Sequence, residues 1–199
     1  MVQKFYVTYN QVHKLCQKSA GAILKENPPS LDDRDWWWWL CSRSYPSGPG
    51  DPNIPIQAIG LSLYEDLGRG DAEEVPGTKV TRTQWLDLSS LEMANLIGKN
   101  ILIVDEVDDT RTTLEYAVRE LEKDVQLAQK QLGREGEKTN FSIFVLHNKN
   151  KEKKGVLPAD MMESRYHAAV TTDDVWICYP WEARDIDEHD ALAKENPII

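Results

Sequence analysis

The stretch Ile101-Leu102-Ile103-Val104-Asp105-Glu106-Val107-Asp108-Asp109-Thr110-Arg111-Thr112-Thr113 decides the fold. Its first four residues are apolar and predict a short strand buried on both faces, as in a parallel sheet. Apolar residues then recur with helical spacing at Leu114, Ala117, Val118, Leu121, Val125, Ala128 and Leu132. The order strand, acidic loop, amphipathic helix predicts one unit of an α/β fold.

The end of this stretch carries three hydroxyl side chains around an arginine. Thr110, Thr112 and Thr113 flank Arg111 just where the helix is expected to begin. Backbone N–H groups of such a loop and of the first helical turn point outward and favour a negative charge. The segment therefore predicts a cradle for a phosphate dianion.

Asp105 and Glu106 follow the apolar strand at its carboxyl end, where open α/β sheets place their ligands. Carboxylates there can bind ribose hydroxyls, directly or through Mg2+. A solvated acidic turn with ordinary helix capping is the alternative. A calcium EF-hand loop fits poorly, because its third and sixth positions would be Val107 and Thr110, and the chain contains no GxxxxGK[ST] phosphate loop.

The composition limits the class of protein. The chain has 199 residues, of which 41% are hydrophobic and 28% are charged, which indicates one globular domain with a sizeable core. A formal net charge of -10 argues against nucleic acid and anionic membranes as partners. Cys16, Cys41 and Cys178 show no metal-binding spacing, and no signal peptide or transmembrane run is recognised. We therefore expect reduced thiols and a cytoplasmic protein.

Four of the seven tryptophans stand side by side at positions 36–39. Neither a helix nor a strand can turn four adjacent side chains to one face, and the acidic flanks argue against a membrane-interface anchor. Tryptophan has the single codon TGG, and a one-base shift of four such codons reads as consecutive glycines. With permitted codons, the shifted segment becomes a buried strand, a glycine loop and a helix start with two arginines. We therefore predict a frame error at about 32–47, which leaves this segment disordered or misfitted as written.

The second half of the chain offers further candidate ligands. Residues 141–146 predict another strand, and the lysines at 149, 151, 153 and 154 follow it. Such a basic run is usually a solvated face, but one lysine at a strand's carboxyl end can bind a ligand. An aromatic cluster follows at 176–182, and the acidic tail at 183–199 predicts a loose helix or disorder.

Taken together, the motifs resemble those of type I phosphoribosyltransferases, in particular the fungal xanthine and hypoxanthine-guanine phosphoribosyltransferases. The stretches that carry the resemblance lie at 60–66, 82–85, 104–113, 144–149 and 179–181. The segment Trp-Ile-x-x-Pro-Trp at 176–181 also resembles the purine-site segment of bacterial xanthine–guanine enzymes. The resemblance implies a mainly parallel twisted sheet flanked by helices, with a small hood from the C-terminal part. It also implies one domain over residues 1–182, with 183–199 as a tail.

The reaction implied by the resemblance belongs to purine salvage. The phosphoribosyl group of PRPP is transferred to N9 of xanthine, hypoxanthine or guanine, which gives the nucleoside 5′-monophosphate and pyrophosphate. Bond breaking at the anomeric carbon builds oxocarbenium character, and Mg2+ stabilises the leaving pyrophosphate. The expected partners are PRPP and an oxopurine, and the family is commonly homodimeric.

The same resemblance implies roles for eight residues at the PRPP site. They are Asp105, Glu106, Asp108, Asp109, Thr110, Arg111, Thr112 and Thr113. Asp105 and Glu106 would bind the ribose hydroxyls and, through ribose or water, Mg2+. Asp109 would be the general acid or base near purine N7. Arg111 replaces the glycine of many relatives, so we expect a phosphate or dimer contact there.

Three residues are expected at the purine. Lys149 would bind the 6-oxo group, with Lys151 as the alternative. Trp176 would stack on the ring, although a core aromatic is the simpler interpretation. The carbonyl of Ile177 would meet the 2-substituent, where it favours the amine of guanine over the oxygen of xanthine.

Two other functions stay open at this point. A non-catalytic PRPP- or nucleotide-binding regulator, or an impaired paralogue, would keep the same fold, but the intact Asp109 argues against it. A pyrimidine or orotate phosphoribosyltransferase would also share the fold, although the Trp176 segment favours a purine. The sequence does not rank the three purine bases.

Overall fold

The computed structural model describes residues 3–26, 58–64, 79–85 and 96–195. The elements in these ranges are β1 (Lys4–Tyr6), α1 (Tyr9–Glu26), β2 (Gly60–Tyr64), β3 (Lys79–Gln84), β4 (Asn100–Asp108), α2 (Thr112–Leu132), β5 (Asn140–Lys149), α3 (Ala159–Ser164), β6 (Tyr166–Thr172), β7 (Trp176–Cys178), a 3₁₀ turn (Pro180–Glu182) and α4 (Ile186–Glu195). The tryptophan run and the predicted frame error at 32–47 lie outside the described residues.

Three parallel strands form the sheet that positions the site. Their order is β4-β5-β6, and Val104 pairs with Phe144 while Val107 pairs with His147. Parallel neighbours need a crossover connection, which α2 supplies between β4 and β5 and α3 supplies between β5 and β6. β1 and β7 form a second parallel pair, and β2 and β3 form an antiparallel pair. The described part of the chain is therefore an α/β structure with mainly parallel strands.

Helices cover both faces of β5, and alternate residues of this strand supply the two cores. Ile143 and Val145 pack in the cluster that contains the buried face of α2. Phe144 and Leu146 point the other way and pack with residues of α1 and β7. This alternation follows from the two-residue period of a strand. The predicted apolar stripe of α2 is confirmed except at Leu132, which is exposed in the last turn.

β4 differs from the predicted strand in both burial and length. Ile103 is buried, but Val104 is 47% exposed, so the prediction of a strand buried on both faces is wrong for β4. Among the described residues β4 pairs only with β5 and lies at the edge of the sheet. It also continues to Asp108, because β5 pairs with it beyond the apolar run. The first carboxylates therefore project from the strand itself.

The acidic tail forms a helix at Ile186–Glu195, which is one of the two predicted states, but this helix is docked on the body of the protein and is not loose. Asp185 Oδ1 accepts hydrogen bonds from the N–H groups of Asp187 and Glu188 and so caps the helix. His189 is buried, and its Nε2 lies 2.9 Å from the carbonyl oxygen of Val7. The boundary at residue 182 stays a prediction. No helix within the described ranges is long and apolar enough to cross a bilayer.

Candidate active site

Two neighbouring carboxylates on β4 have no cationic partner among the described residues. Asp105 is half-buried, and Glu106 is exposed. The N–H of Glu106 donates to Asp105 Oδ1 at 2.9 Å. Burial, and then the adjacent carboxyl group of Glu106, raise the pKa of Asp105 to about 7. The pair therefore presents carboxylate oxygens that no positive charge among the described residues balances.

The next carboxylate, Asp108, has a contrasting environment. It is buried, and both Nε and an Nη of Arg111 contact its Oδ2, at 2.9 and 2.8 Å. The hydroxyl of Tyr166 donates to the same oxygen at 2.6 Å, and Nζ of Lys153 lies 3.4 Å from Oδ1. Asp108 is thus enclosed by protein groups, which differs from the expected direct contact with PRPP.

Arg111 turns back into the protein. Its backbone has φ of 67°, in the left-handed region, and no other non-glycine residue of the described ranges has a positive φ. Besides the ion pair with Asp108, the guanidinium lies 5.2 Å from the ring centroid of Tyr166. The expected phosphate or dimer contact is therefore replaced by an internal one.

The N-terminus of α2 supplies the predicted phosphate cradle. The helix begins at Thr112, and Arg111 precedes it without a side-chain hydrogen bond to the first turn. The hydroxyls of Thr110 and Thr112 lie 3.0 Å apart, and Thr113 follows in the first turn. N–H groups at a helix start have no partner inside the helix, so this end can accept an anion.

Asp109 lies between two lysines, and a second carboxylate shares them. Lys151 Nζ lies 3.1 Å from Asp109 Oδ1, and Lys149 Nζ lies 3.4 Å from Oδ2. Asp174 contacts the same two ammonium groups, that of Lys149 at 3.6 Å and that of Lys151 at 2.9 Å. The hydrogen bond to Asp174, against a smaller effect of burial, raises the pKa of Lys151. Lys149 and Lys151 both contact Asp109, so the geometry does not separate the two candidates for binding the purine 6-oxo group.

Two of the expected purine residues lie in β7, immediately after Asp174. Trp176 is 60% exposed, so it is not the core aromatic that was the simpler interpretation. Ile177 is buried in the cluster with α1, so its side chain is structural. Tyr179 connects this segment to β4, because its hydroxyl donates to the carbonyl oxygen of Glu106 at 2.8 Å.

Sequence reasoning missed several residues that the fold brings to the site. They are Lys153, Tyr166, Asp174, Tyr179 and His147, whose Nδ1 lies 2.9 Å from the Tyr179 hydroxyl. Lys153 lies in the basic run after β5, which does not say which lysine turns inward, and His147 and Tyr179 lie in stretches that carry the resemblance, which does not give their contacts. The others are separated from the signature by 30 residues or more, so their contacts depend on the crossover connections.

The fold and site together define a class of protein. A parallel sheet that presents carboxylates and a helix N-terminus at the carboxyl end of one strand is typical of α/β proteins that bind phosphorylated ligands. Lys149 and Lys151 lie at that end, and the exposed Trp176 follows two residues after Asp174, which both lysines contact.

Curated relatives identify the family within this class, whereas no family model matches the chain. The hypoxanthine-guanine phosphoribosyltransferase of Schizosaccharomyces pombe is 52% identical over 192 residues, which cover 94% of this chain and 93% of that protein. Xanthine phosphoribosyltransferase 1 of Saccharomyces cerevisiae is 53% identical over 200 residues, which cover 96% of each. The chain belongs to the family of fungal hypoxanthine-guanine and xanthine phosphoribosyltransferases. The resemblance read from the sequence and the predicted enzyme class are confirmed.

Solved structures share the fold of this chain. A hypothetical protein from Neisseria gonorrhoeae with bound ppGpp has a TM-score of 0.68 and 30% identity, and the match covers 98% of both chains. A hypoxanthine phosphoribosyltransferase from Staphylococcus aureus has a TM-score of 0.50 and 15% identity, and the match covers 87% of this chain and 79% of that one. The second likeness concerns the fold alone, and the predicted fold class is confirmed.

Proposed function

We propose that the chain transfers the phosphoribosyl group of PRPP to an oxopurine in a Mg2+-dependent reaction that releases pyrophosphate. The observation that carries the proposal is the end of β4, where Asp105 and Glu106 have no cationic partner among the described residues. Carboxylates left in this state suit a ligand that brings hydroxyl donors and a metal ion. Family membership supports the same reaction.

Asp105 and Glu106 would bind the ribose hydroxyls and, through ribose or water, Mg2+. The raised pKa of Asp105 supports this role, because a bound cation relieves the cost of burying its charge. The described residues contain no cluster of three or more ligand side chains. This donor set fits Mg2+, which commonly uses one or two carboxylates together with substrate oxygens and water. When bound, Mg2+ would neutralise the pyrophosphate that leaves.

The 5′-phosphate would bind at the start of α2. The uncapped N–H groups of its first turn and the hydroxyls of Thr110, Thr112 and Thr113 supply donors for the phosphate oxygens. Positioning is the main contribution of such a loop, since it holds the anomeric carbon at a fixed distance from the purine.

Asp109 would act on the purine itself. As N9 forms its bond to the anomeric carbon, the purine loses a proton, and the carboxylate of Asp109 can accept it near N7. Lys149 and Lys151 hold this carboxylate in place, and either ammonium can donate to the 6-oxo group. Water-poor surroundings would strengthen both interactions.

The purine ring would stack on Trp176, which is exposed beside these lysines. The backbone carbonyl of Ile177 would accept a hydrogen bond from the 2-amino group of guanine. The solved relative with bound ppGpp supports a guanine nucleotide as one ligand of this fold. The ranking of xanthine, hypoxanthine and guanine then depends on few groups, and it is left to direct assay.

The proposal also covers the oligomeric state, the compartment and the partners of the enzyme. We expect a homodimer in the cytoplasm, with PRPP and an oxopurine as its small-molecule partners. Cys178 is a reduced thiol, which supports a reducing compartment. The net charge of -10 supports the absence of nucleic acid and membrane partners.

The decisive experiment measures the PRPP-dependent formation of nucleotide and pyrophosphate from each purine base, with orotate as the competing substrate. Two chains are compared: the chain as written, and a chain whose segment 32–47 is replaced by the one-base-shifted reading. We expect the shifted chain to turn over oxopurines and the chain as written to turn over poorly, because it lacks the glycine amides for pyrophosphate.

Each other outcome has a separate meaning. Ordinary turnover by the chain as written would contradict the frame-error hypothesis and leave the function standing. PRPP binding without turnover by the shifted chain would favour a regulator. Turnover of orotate in place of the purines would overturn the assignment of Trp176 and Lys149.

A further inference from the structure

The phosphate loop, residues 108–113, is held from behind by the segment 153–155. Lys153 Nζ donates to the carbonyl oxygens of Asp108 and Asp109 at 2.7 and 2.8 Å. The N–H groups of Lys154 and Gly155 both donate to the carbonyl oxygen of Thr110 at 3.0 Å. These three consecutive carbonyls are therefore occupied by one short segment of the chain.

The next carbonyl along the loop is occupied as well. The carbonyl oxygen of Arg111 accepts from the N–H of Glu115 in α2 at 3.0 Å. In a planar trans peptide the C=O and the following N–H point in opposite directions. The bonds from segment 153–155 to the carbonyls of residues 108–110 therefore direct the N–H groups of residues 109–111 away from that segment. Those are the groups that a phosphate would contact.

The fit between the two segments leaves no room for a side chain at position 155. A Cβ added to Gly155 would lie 2.4 Å from the carbonyl oxygen of Arg111 and 2.9 Å from the backbone nitrogen of Thr112. The contact sits at the residue whose φ is 67°, a conformation that arginine adopts rarely. Segment 153–155 therefore packs directly against the strained turn of the loop.

The charges around the buried Asp108 lie behind the same loop. Asp108 carries one negative charge and contacts two cations, Arg111 and Lys153, so the cluster keeps one positive charge behind the loop. Tyr166 supplies a neutral donor, because burial and the Asp108 contact raise its pKa. The excess charge lies on the side opposite to the N–H groups and favours a bound dianion.

We propose that Lys153 is a positioning residue of the PRPP site, and that Arg111 is an internal lock of the phosphate loop. Lys153 binds the loop carbonyls and Asp108 together, and thereby fixes the N–H groups that face the 5′-phosphate. The proposal rests on the proposed function for the identity of the ligand. It places both side chains behind the loop and neither of them on the phosphate.

A matched pair of variants tests the role of Lys153. Lys153→Met removes the clamp, while Lys154→Met removes the same charge one residue away. The side chain of Lys154 is exposed and forms no ion pair within the described ranges, and the substitution keeps its backbone N–H. With the shifted chain, we expect Lys153→Met to raise the KM and Kd for PRPP about 10–100-fold and to change the KM for the purine less than about 3-fold. Lys154→Met is expected to change the KM for PRPP, the Kd for PRPP and the KM for the purine by less than about 2-fold.

A second measurement decides the inference independently of the ligand. Hydrogen exchange at the amides of residues 109–111 should become roughly 10-fold faster in Lys153→Met and stay unchanged in Lys154→Met. If the parent protein fails to bind PRPP, the proposed function fails, while the exchange rates still decide whether Lys153 holds the loop. Equal exchange in the two variants, or an equal effect on PRPP and purine, would overturn the inference.

Gly155→Ala is the second variant, because Lys153→Met could unfold the protein. The added methyl group pushes on the loop without a change in charge. We expect the same selective rise in the Kd for PRPP, with a far-ultraviolet spectrum like that of the parent. A folded Gly155→Ala protein with an unchanged Kd for PRPP and unchanged loop exchange would overturn the proposed contact.

Discussion

Two pairs of carboxylates at the end of β4 lie within five residues, yet their electrostatic environments are opposite. Asp105 and Glu106 contact no cation among the described residues, and burial raises the pKa of Asp105 to about 7. Asp108 and Asp109 each contact two cations, Arg111 and Lys153 for the first and Lys149 and Lys151 for the second. The chain therefore balances one pair internally and leaves the other pair for a ligand.

The difference separates binding from positioning. A buried carboxylate without a partner destabilises the fold, and such a group persists where a ligand later supplies the missing charge. Asp108, a buried carboxylate with its own cations, organises the loop around it and needs no ligand. Removal of the charge of Asp105 or of Asp108 should therefore have opposite consequences for stability, and four variants test this division.

Asp109→Asn should have the largest effect on catalysis. The amide cannot accept the purine proton, so kcat should fall by roughly 10²–10⁴ in the shifted chain while the folded state is kept. Asp174→Asn is the matched control, since Asp174 shares both lysines but is not the expected acid–base residue. We expect it to lower kcat less than about 10-fold. Steady-state kinetics check both variants, and unchanged turnover of Asp109→Asn would remove Asp109 from the chemistry.

Asp108→Asn should give the largest loss of stability. It leaves Arg111 and Lys153 partly buried without their carboxylate, and removal of one partner of a buried ion pair costs about 3–5 kcal/mol. Urea unfolding at pH 7.5, monitored by tryptophan fluorescence, measures the change in the free energy of unfolding. Glu152→Gln, on an exposed side chain in the next loop, should change that free energy by less than about 0.5 kcal/mol. A near-neutral Asp108→Asn would mean that the cluster is not balanced as the structure indicates.

Asp105→Asn should act in the opposite direction on the free protein. Because the folded-state pKa is raised, only the unfolded state loses the proton between about pH 4 and 7, and stability falls as the pH rises through that window. Above pH 7 the loss is complete and amounts to about 1–4 kcal/mol. Asp105→Asn should therefore be more stable than the parent at pH 8, with a gain that shrinks towards pH 5, and should bind PRPP poorly. A gain independent of pH would contradict this.

The variant has to be compared with the parent at each pH, because a second group titrates in the same range with the opposite sign. Burial lowers the pKa of His147 to about 4, so its contribution to stability is complete above the ordinary histidine pKa and is lost as the pH falls through that window. The effects of Asp105 and His147 on the parent oppose each other. Their opposition predicts a shallow pH profile for the parent and a steeper loss towards acid for Asp105→Asn.

The parts of the site that could be predicted are contiguous in sequence. β4, the phosphate loop and α2 follow one another, so apolar periodicity and the run of hydroxyl residues were enough to predict where Asp105 and the cradle lie, while the role of Asp109 was implied by the family resemblance alone. The burial of β4 could not be read in this way. An apolar run indicates a strand but not the number of its neighbours, and Val104 is exposed where the run predicts burial.

The remaining site contacts join residues that are far apart in the chain. Lys153 and Tyr166 reach Asp108 across 45 and 58 residues, and Tyr179 reaches Glu106 across 73. No local pattern encodes such pairs, since the crossovers of the parallel sheet decide which strand ends meet. The docking of α4 was not predicted for a related reason, because two buried residues, His189 and Ala193, do not make an apolar stripe that the sequence shows.

Tyr179→Phe should have the smallest effect and sharpens the contrast between the two pairs. The hydroxyl gives its proton to the Glu106 carbonyl, so Nδ1 of His147 is the donor in their contact, and Nε2 carries no proton and has no hydrogen-bond partner among the described residues. Loss of the hydroxyl leaves a buried donor and a carbonyl unpaired, which should lower the free energy of unfolding by about 1–2 kcal/mol. Tyr116→Phe, at a hydroxyl away from this network, is the control. Tyr179 joins the purine segment to Asp105 and Glu106, so the KM values for purine and PRPP should rise together in Tyr179→Phe, by about 3–10-fold. Lys153→Met, by contrast, is expected to raise mainly the KM for PRPP. A rise confined to one substrate would show that the two halves of the site are not coupled through this hydroxyl.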